Sequence, residues 1–370
     1  MTSPVSRIYL DYNATTPIRP EAIEAVTLAM QTHGNASSVH SFGRSARKMV
    51  EEARASVAKL AGVADKQVIF TSGATESNNM ILRGFHDRPS FVSSVEHPSV
   101  YVCGRENGVI PVHENGLINL DALEEALQNE EIPAVVSLMY VNNENGIIQP
   151  VKEAAAIAHK YNAIMHTDAV QAAGRIPLDF DALDVDFMSL SAHKLGGPQG
   201  VGALIMRQGL NPPKFMHGGG QERRQRAGTE NVAGIAGFGV AADLALRDLE
   251  KFQALAALRQ KMEAGIKAAS NRVRIYGEDV SRVSNTVSCS IEGIDSAIFL
   301  MNLDLEGIAI SSGAACSSGA VQPSRVLLSM GVTEDIAKTG LRISMGWGTT
   351  EPEIDRFIEV WTKLVRRLTQ

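Results

Sequence analysis

The chain alternates short apolar runs with stretches whose apolar positions recur at helical spacing. Candidate strands are Val68–Thr71, Phe91–Val95, Ala134–Tyr140, Ile164–Asp168, Phe187–Ser191 and Gly202–Met206. Several are continuous apolar runs, as expected where a sheet is covered on both faces. Between them, Ala46, Met49, Val50, Ala53, Val57 and Leu60 line one face of a helix predicted from Ser45 to Ala61. Similar patterns cover Val151–Tyr161 and a long Ala-rich stretch from about Val232 to Ala269. Beyond Asn271 the rhythm changes, with strands at Thr286–Ile291 and Leu341–Ser344 and helices at Asp295–Asn302 and Glu351–Leu368. The reading is an α/β chain with a domain boundary near residue 250 and no internal repeat.

Composition narrows the function classes. At 370 residues the chain can bury a sizeable core, enough for two domains. Hydrophobic residues are 44% and charged residues 21%, ordinary for a soluble enzyme and contrary to disorder. The net charge of −6 gives no sign of nucleic-acid binding. No apolar run reaches membrane-spanning length, and Met1–Arg7 lacks a signal-peptide core. The three cysteines, Cys103, Cys289 and Cys316, have neither paired nor metal-type spacing. They read as reduced thiols of a cytoplasmic protein, so an exposed one would be present for chemistry.

The chemistry-bearing residues collect after strands, where ligands of open α/β sheets bind. The run from Asp186 breaks at His193-Lys194 before Gly196-Gly197-Pro198, placing an amine at a strand end suited to hold a carbonyl cofactor as a Schiff base. Asp168 ends its own strand, where it would keep a pyridinium nitrogen protonated or cap the next helix; Gln171 could donate to a phenolic oxygen. Thr71-Ser-Gly-Ala-Thr-Glu-Ser77 opens a helix after a strand. The N–H groups of Ala74 and Thr75 suit a phosphate, although the same pattern also reads as an ordinary capped start. His97, before Pro98, could stack on a ring and move protons, or be structural. The loop Gly218–Thr229 is rich in Gly and Arg and could meet a phosphate or a second subunit, or be a flexible linker before the long helix. Arg342 is a charge inside an apolar strand, needing either a bound carboxylate or an internal salt bridge. Cys316 lies in Ser311-Ser-Gly-Ala-Ala-Cys-Ser-Ser-Gly319, where nearly every neighbour is small and an incoming sulfur atom would be unobstructed. Cys103 and Cys289 fall in or beside apolar segments and read as small hydrophobes.

These motifs resemble, nearly end to end, the cysteine desulfurases of the nitrogen-fixation and iron–sulfur-cluster type. That family lies in the class V aminotransferase group of fold-type I pyridoxal-phosphate enzymes. The likeness runs from Tyr9-Leu-Asp-Tyr-Asn-Ala-Thr-Thr-Pro17 through Ser72-Gly-Ala-Thr-Glu76, Val141-Asn-Asn-Glu144, Ser191-Ala-His-Lys194 and Arg226-Ala-Gly-Thr-Glu-Asn231 to Ser311–Ser318. The cysteine segment is similar to that of the branch with a longer loop. One departure is Gly34-Asn35-Ala36, where the family usually has Gly-Asn-Pro.

The resemblance implies a large domain over 16–250 with a mostly parallel sheet between helices. It implies a smaller α+β domain formed by 1–15 with 251–370, carrying the cysteine loop. The cofactor it implies is pyridoxal 5'-phosphate, bound through Lys194, with Asp168 at the ring nitrogen, Gln171 and Asn143 at the phenolic oxygen and His97 stacked on the ring. Ala74, Thr75, Ser191 and His193 would hold the phosphate, joined by Thr229 of the other subunit of a homodimer. Asn143 and Arg342 would bind the substrate L-cysteine. Lys194, His97 and Cys316 would be catalytic, Cys316 carrying sulfur as a persulfide. Cys316 would serve as a metal ligand only transiently, in a cluster shared with an iron–sulfur scaffold or comparable acceptor. Two other classes stay open: an aminotransferase, lyase or selenocysteine lyase, and a sulfur carrier without catalysis.

Overall fold

A computed structural model describes residues 7–105, 108–313 and 322–368. Thirteen strands occur among them: β1 (Ile8–Tyr9), β2 (Val68–Thr71), β3 (Ser90–Ser93), β4 (Val109–Ile110), β5 (Val135–Ser137), β6 (Ile164–Asp168), β7 (Phe187–Ser191), β8 (Gly202–Met206), β9 (Val273–Ile275), β10 (Thr286–Ile291), β11 (Ile308–Ala309), β12 (Ser311–Ser312) and β13 (Gly340–Ser344). Seven form one sheet in the order β2-β8-β7-β6-β5-β3-β4. It is parallel from β4 to β7, and only β8 runs against its neighbours β7 and β2. The fold is α/β with a mostly parallel sheet.

That register decides where chemistry can collect. Gly202, which begins β8, pairs with both Thr71 and Ser191, so β2 and β7 end on one edge of the sheet. Asp168, ending the parallel strand β6, lies opposite Ser189 and reaches the same edge. Every residue of β7 is buried, Ser189 and Ser191 included, and the first large polar side chains come at the His-Lys pair.

The helix Ser41–Ala61 starts earlier than its periodicity predicts, because His40 caps it by accepting from the Gly43 amide. It packs against the helix Val232–Arg247, where a Cβ on Gly239 would come within 2.6 Å of the Ala53 backbone. The Ala-rich stretch expected from Val232 to Ala269 divides into Val232–Arg247, Leu249–Gln253 and Leu255–Ala269. No Pro or Gly marks the first break. Asp248 stands there, its carboxylate accepting from Arg19, Arg247 and Lys251.

A second sheet, β12-β13-β10-β9, is antiparallel throughout. It packs with Leu255–Ala269 and the C-terminal helix Glu351–Leu368 around Trp361, Phe357 and Phe299. Strand β1 joins this region rather than the large sheet, pairing in parallel with β11. The residues after β1 then cross to the edge of the large sheet where β7 ends, the Thr16 amide donating to the His193 carbonyl. A short N-terminal segment therefore touches both sheets.

Candidate functional site

Lys194 closes the one-turn helix Ala192–Lys194 that follows β7. Its Nζ donates to the carbonyls of Asn13 and Ala14, each at 2.6 Å. Burial pushes the ammonium down to about 7, helped by the positive charges of Arg342 and Arg175 and opposed by Asp11 and Asp168. The amine is thus available as a base near neutral pH.

Asp168 is buried. Its Oδ2 accepts from Asn78 Nδ2 at 2.9 Å, and its Oδ1 from the Val170 amide at 3.0 Å. The Val170 bond is a local turn contact, and no helix begins there for Asp168 to cap. Gln171 donates through Nε2 to Asn13 O at 3.0 Å, leaving its buried Oε1 without a protein partner.

His97 opens the short helix Pro98–Tyr101, its Nδ1 accepting from the Ser99 amide at 3.2 Å. That bond leaves the proton of the neutral ring on Nε2. Burial holds the imidazole below its usual range; Asp168 opposes this, while Lys194 and Arg325 add to it. Ser99 Oγ, 2.8 Å from His97 Nδ1, accepts from Asn78 Nδ2, which also donates to Asp168, so His97 and Asp168 share one hydrogen-bonded network.

The phosphate candidates stand where the register puts them. Ala74 and Thr75 begin the helix Ala74–Leu82, whose N-terminal flank is Gly73 at φ 155°, without a side-chain cap. The expected alternative of a Ser/Thr cap is therefore not what forms. Glu76 instead reaches back to the Ser72 amide and grips Arg226 of the Gly-rich loop at 2.8 and 3.1 Å. Gly202 must lack a side chain, since a Cβ there would come within 2.7 Å of Gly73 Cα. A Cβ on Gly73 would meet nothing within 4 Å, so the loop borders open space. Ser191 is buried close by. His193 lies 3.2 Å from Thr15 Oγ1, and burial next to Lys194 pushes it down to about 4. Thr229 is exposed.

Arg342 forms the internal salt bridge that was one of its two sequence alternatives. It makes an ion pair with Asp11 at 2.9 Å and donates to Asn143 O at 3.1 Å. Its Nε remains buried without a protein partner. Asn143, half-buried, contributes to this side through its main-chain oxygen. Cys316 lies outside the described residues, as does any metal role for it. Among the described residues no group of three or more His, Cys, Asp or Glu could hold a metal ion. Cys103 and Cys289 are buried, and burial pushes the Cys289 thiol far above its usual range. His166, fully buried, bridges Ser137 and Ser189 across three strands and stays out of the site.

Several site residues escape sequence reasoning. Asn78 donates to Asp168, and Arg175 is buried with NH1 2.9 Å from Asn13 Oδ1; no sequence motif singled out either residue. Glu96 is buried, its Oε1 accepting from Met139 N and Ser93 Oγ; burial pushes it up to about 8. Arg54 and Glu222, at 2.7 Å and both buried, anchor the Gly-rich loop under β2. Only their long-range partners reveal them. Asn13 was legible as part of a motif, but its role was not.

Among the described residues no helix is long and apolar enough to cross a membrane. The aminotransferase class-V family matches residues 8–357. A protein of Dictyoglomus turgidum named cysteine desulfurase IscS is 39% identical, over 98% of this chain and 95% of its own length. An IscS-like cysteine desulfurase of Mycobacterium tuberculosis is 40% identical, over 97% and 96%. The X-ray structure of a NifS-like protein from Rickettsia africae superposes with a TM-score of 0.91 at 37% identity, covering 97% of this chain and 99% of that one. With its strand-end lysine and aspartate on the edge the family match spans, the chain belongs to the aminotransferase class-V family.

Proposed function

We propose that the chain is a pyridoxal-phosphate-dependent cysteine desulfurase that takes sulfur from L-cysteine onto Cys316 and releases L-alanine. The observation that carries this reading is the placement of the Lys194 amine, which burial pushes down to about 7, and a buried Asp168 carboxylate at neighbouring strand ends. The residues present fit the cofactor. Gln171 has an orphaned polar atom, the Gly73 turn borders open space, and the uncapped Ala74–Leu82 helix start suits a phosphate. When bound, pyridoxal phosphate supplies an electron sink for charge developing at the substrate Cα.

This chain's own residues do the rest. Asp168 holds a proton at the ring nitrogen, and Gln171 with Asn143 serves the phenolic oxygen. Ala74, Thr75, Ser191 and His193 hold the phosphate, with Thr229 contributed across a homodimer, a role its exposure permits. Arg342 holds the substrate carboxylate, where its unpartnered Nε offers a further donor. Lys194 takes the Cα proton as general base and returns it. His97, neutral at physiological pH, stacks on the ring and accepts the Cys316 thiol proton. The thiolate attacks the substrate sulfur, the Cβ–S bond breaks, and Cys316 keeps one added sulfur atom. Delivery follows to an iron–sulfur scaffold or another sulfur-acceptor protein, in the cytoplasm.

The test is mass spectrometry of the protein after brief exposure to L-cysteine without reductant. One added sulfur atom is expected on the peptide containing Cys316. Cys316→Ser should release almost no alanine, whereas Cys103→Ser and Cys289→Ser stay active. Full turnover by Cys316→Ser, or a persulfide found only elsewhere, would overturn the reading.

A further inference from the structure

Asn13, on the segment crossing between the two sheets, is 1% exposed and uses nearly every hydrogen-bonding group it has. Its carbonyl oxygen accepts from Lys194 Nζ at 2.6 Å and Gln171 Nε2 at 3.0 Å. Its Nδ2 donates to Asn143 O at 3.2 Å and to Thr286 Oγ1 at 3.0 Å. Its Oδ1 accepts from Arg175 NH1 at 2.9 Å and Asn285 Nδ2 at 3.1 Å. Its amide donates to Ser344 Oγ at 2.9 Å. Asn143 and Arg175, from turns that follow large-sheet strands, thus meet Asn285 and Thr286 of the small-sheet region on one side chain.

Two of these contacts matter for an amino-acid substrate. Asn143 O, which accepts from Asn13, also accepts from Arg342 NH1 at 3.1 Å. Ser344, which fixes the Asn13 main chain, lies two residues beyond Arg342 and on the same face of β13. The Asn13 main chain therefore touches the catalytic amine, while its side chain touches the carbonyl that steers the guanidinium. Arg175, held by the same Oδ1, adds a positive charge that lowers the Lys194 pKa.

We infer that Asn13 is a positioning residue that sets the spacing between the Lys194 amine and the Arg342 guanidinium, and so selects substrates carrying a carboxylate on the reacting carbon. This rests on the reading of Arg342 as the carboxylate site. A buried amide suits the task because its donor and acceptor ends point to different elements, so neither can shift without leaving a buried group unpaired. Asn13→Asp retains Oδ1 for Arg175 and Asn285 but sets a second acceptor against Asn143 O, displacing the carbonyl that Arg342 shares.

The experiment is a double-mutant cycle read by calorimetric binding of the product L-alanine to cofactor-loaded protein, using Asn13→Asp and Arg342→Lys. Asn13→Asp alone should weaken binding by about tenfold, and on the Arg342→Lys background by less than about twofold. The melting temperature of the cofactor-free protein is measured alongside, and Asn13→Ser replaces the aspartate if that variant fails to fold. An equal loss on both backgrounds, or no loss on the parent, overturns the positioning role. Unchanged binding in Arg342→Lys alone instead overturns the carboxylate reading beneath it.

Discussion

At pH 7 about half of the Lys194 amine should be free base, because burial and the neighbouring Arg342 and Arg175 charges push its pKa down to about 7. An unperturbed lysine would leave only about one molecule in 2,500 unprotonated at that pH. The difference decides whether the amine can act as a base without a helper. Trace labelling of the cofactor-free protein with acetic anhydride, against an added standard amine, gives the titration curve of the Lys194 peptide by mass spectrometry. The curve should level off by about pH 8. Arg342→Met should move its midpoint upward, since the variant removes the larger of the two repelling charges and leaves Asp11 unpaired to attract the ammonium. The linkage has a matching sign. Below about 7 folded and unfolded chains both carry the proton and the folded state bears the full penalty. As pH rises above 7 the folded chain sheds it first, so this group adds stability to the cofactor-free protein up to the unfolded pKa of about 10.4. Labelling that still rises tenfold per pH unit beyond pH 9 would refute the argument.

Two more outcomes are expected. Lys194→Ala should bind pyridoxal phosphate through the phosphate contacts, yet borohydride should no longer fix the cofactor to protein; fixation at another lysine would count against the assignment. Arg54→Met strands Glu222 and the Val68 carbonyl, and should cost about 4 kcal/mol, or a melting-temperature drop of about 5 °C for a chain of this size. Removing both charges with Arg54→Met/Glu222→Met should cost less than the single change, and a larger cost would refute the desolvation argument.

Much of the large sheet was legible in the sequence. The runs Val68–Thr71, Ile164–Asp168, Phe187–Ser191 and Gly202–Met206 are strands over those same residues, because most positions of a strand buried on both faces are apolar or small. Strand ends were less legible: Ala134–Tyr140 is regular strand only over Val135–Ser137, although the amides of Leu138 and Tyr140 still donate to the His166 and Asp168 carbonyls. The break at Asp248 was invisible to periodicity, being made by a carboxylate and three cations rather than by Pro or Gly.

The site divides along the same line. Lys194 and Asp168 could be named from the chain alone, because a polar residue ending an apolar run marks a strand end, and parallel strands bring such ends to one edge. What a residue does there depended on partners far away in sequence. Arg342 was left between an ion pair and a carboxylate site; folding supplied Asp11 as the ion-pair partner and left Nε for a further acceptor. Asn13 meets Ser344 across 331 positions and Arg175 across 162, and Arg54 meets Glu222 across 168. Sequence patterning records which faces are buried, since the hydrophobic effect is non-directional and local in its demand on each residue. Hydrogen bonds and charges are directional pairwise terms, so their meaning is set only when the tertiary fold brings both partners together.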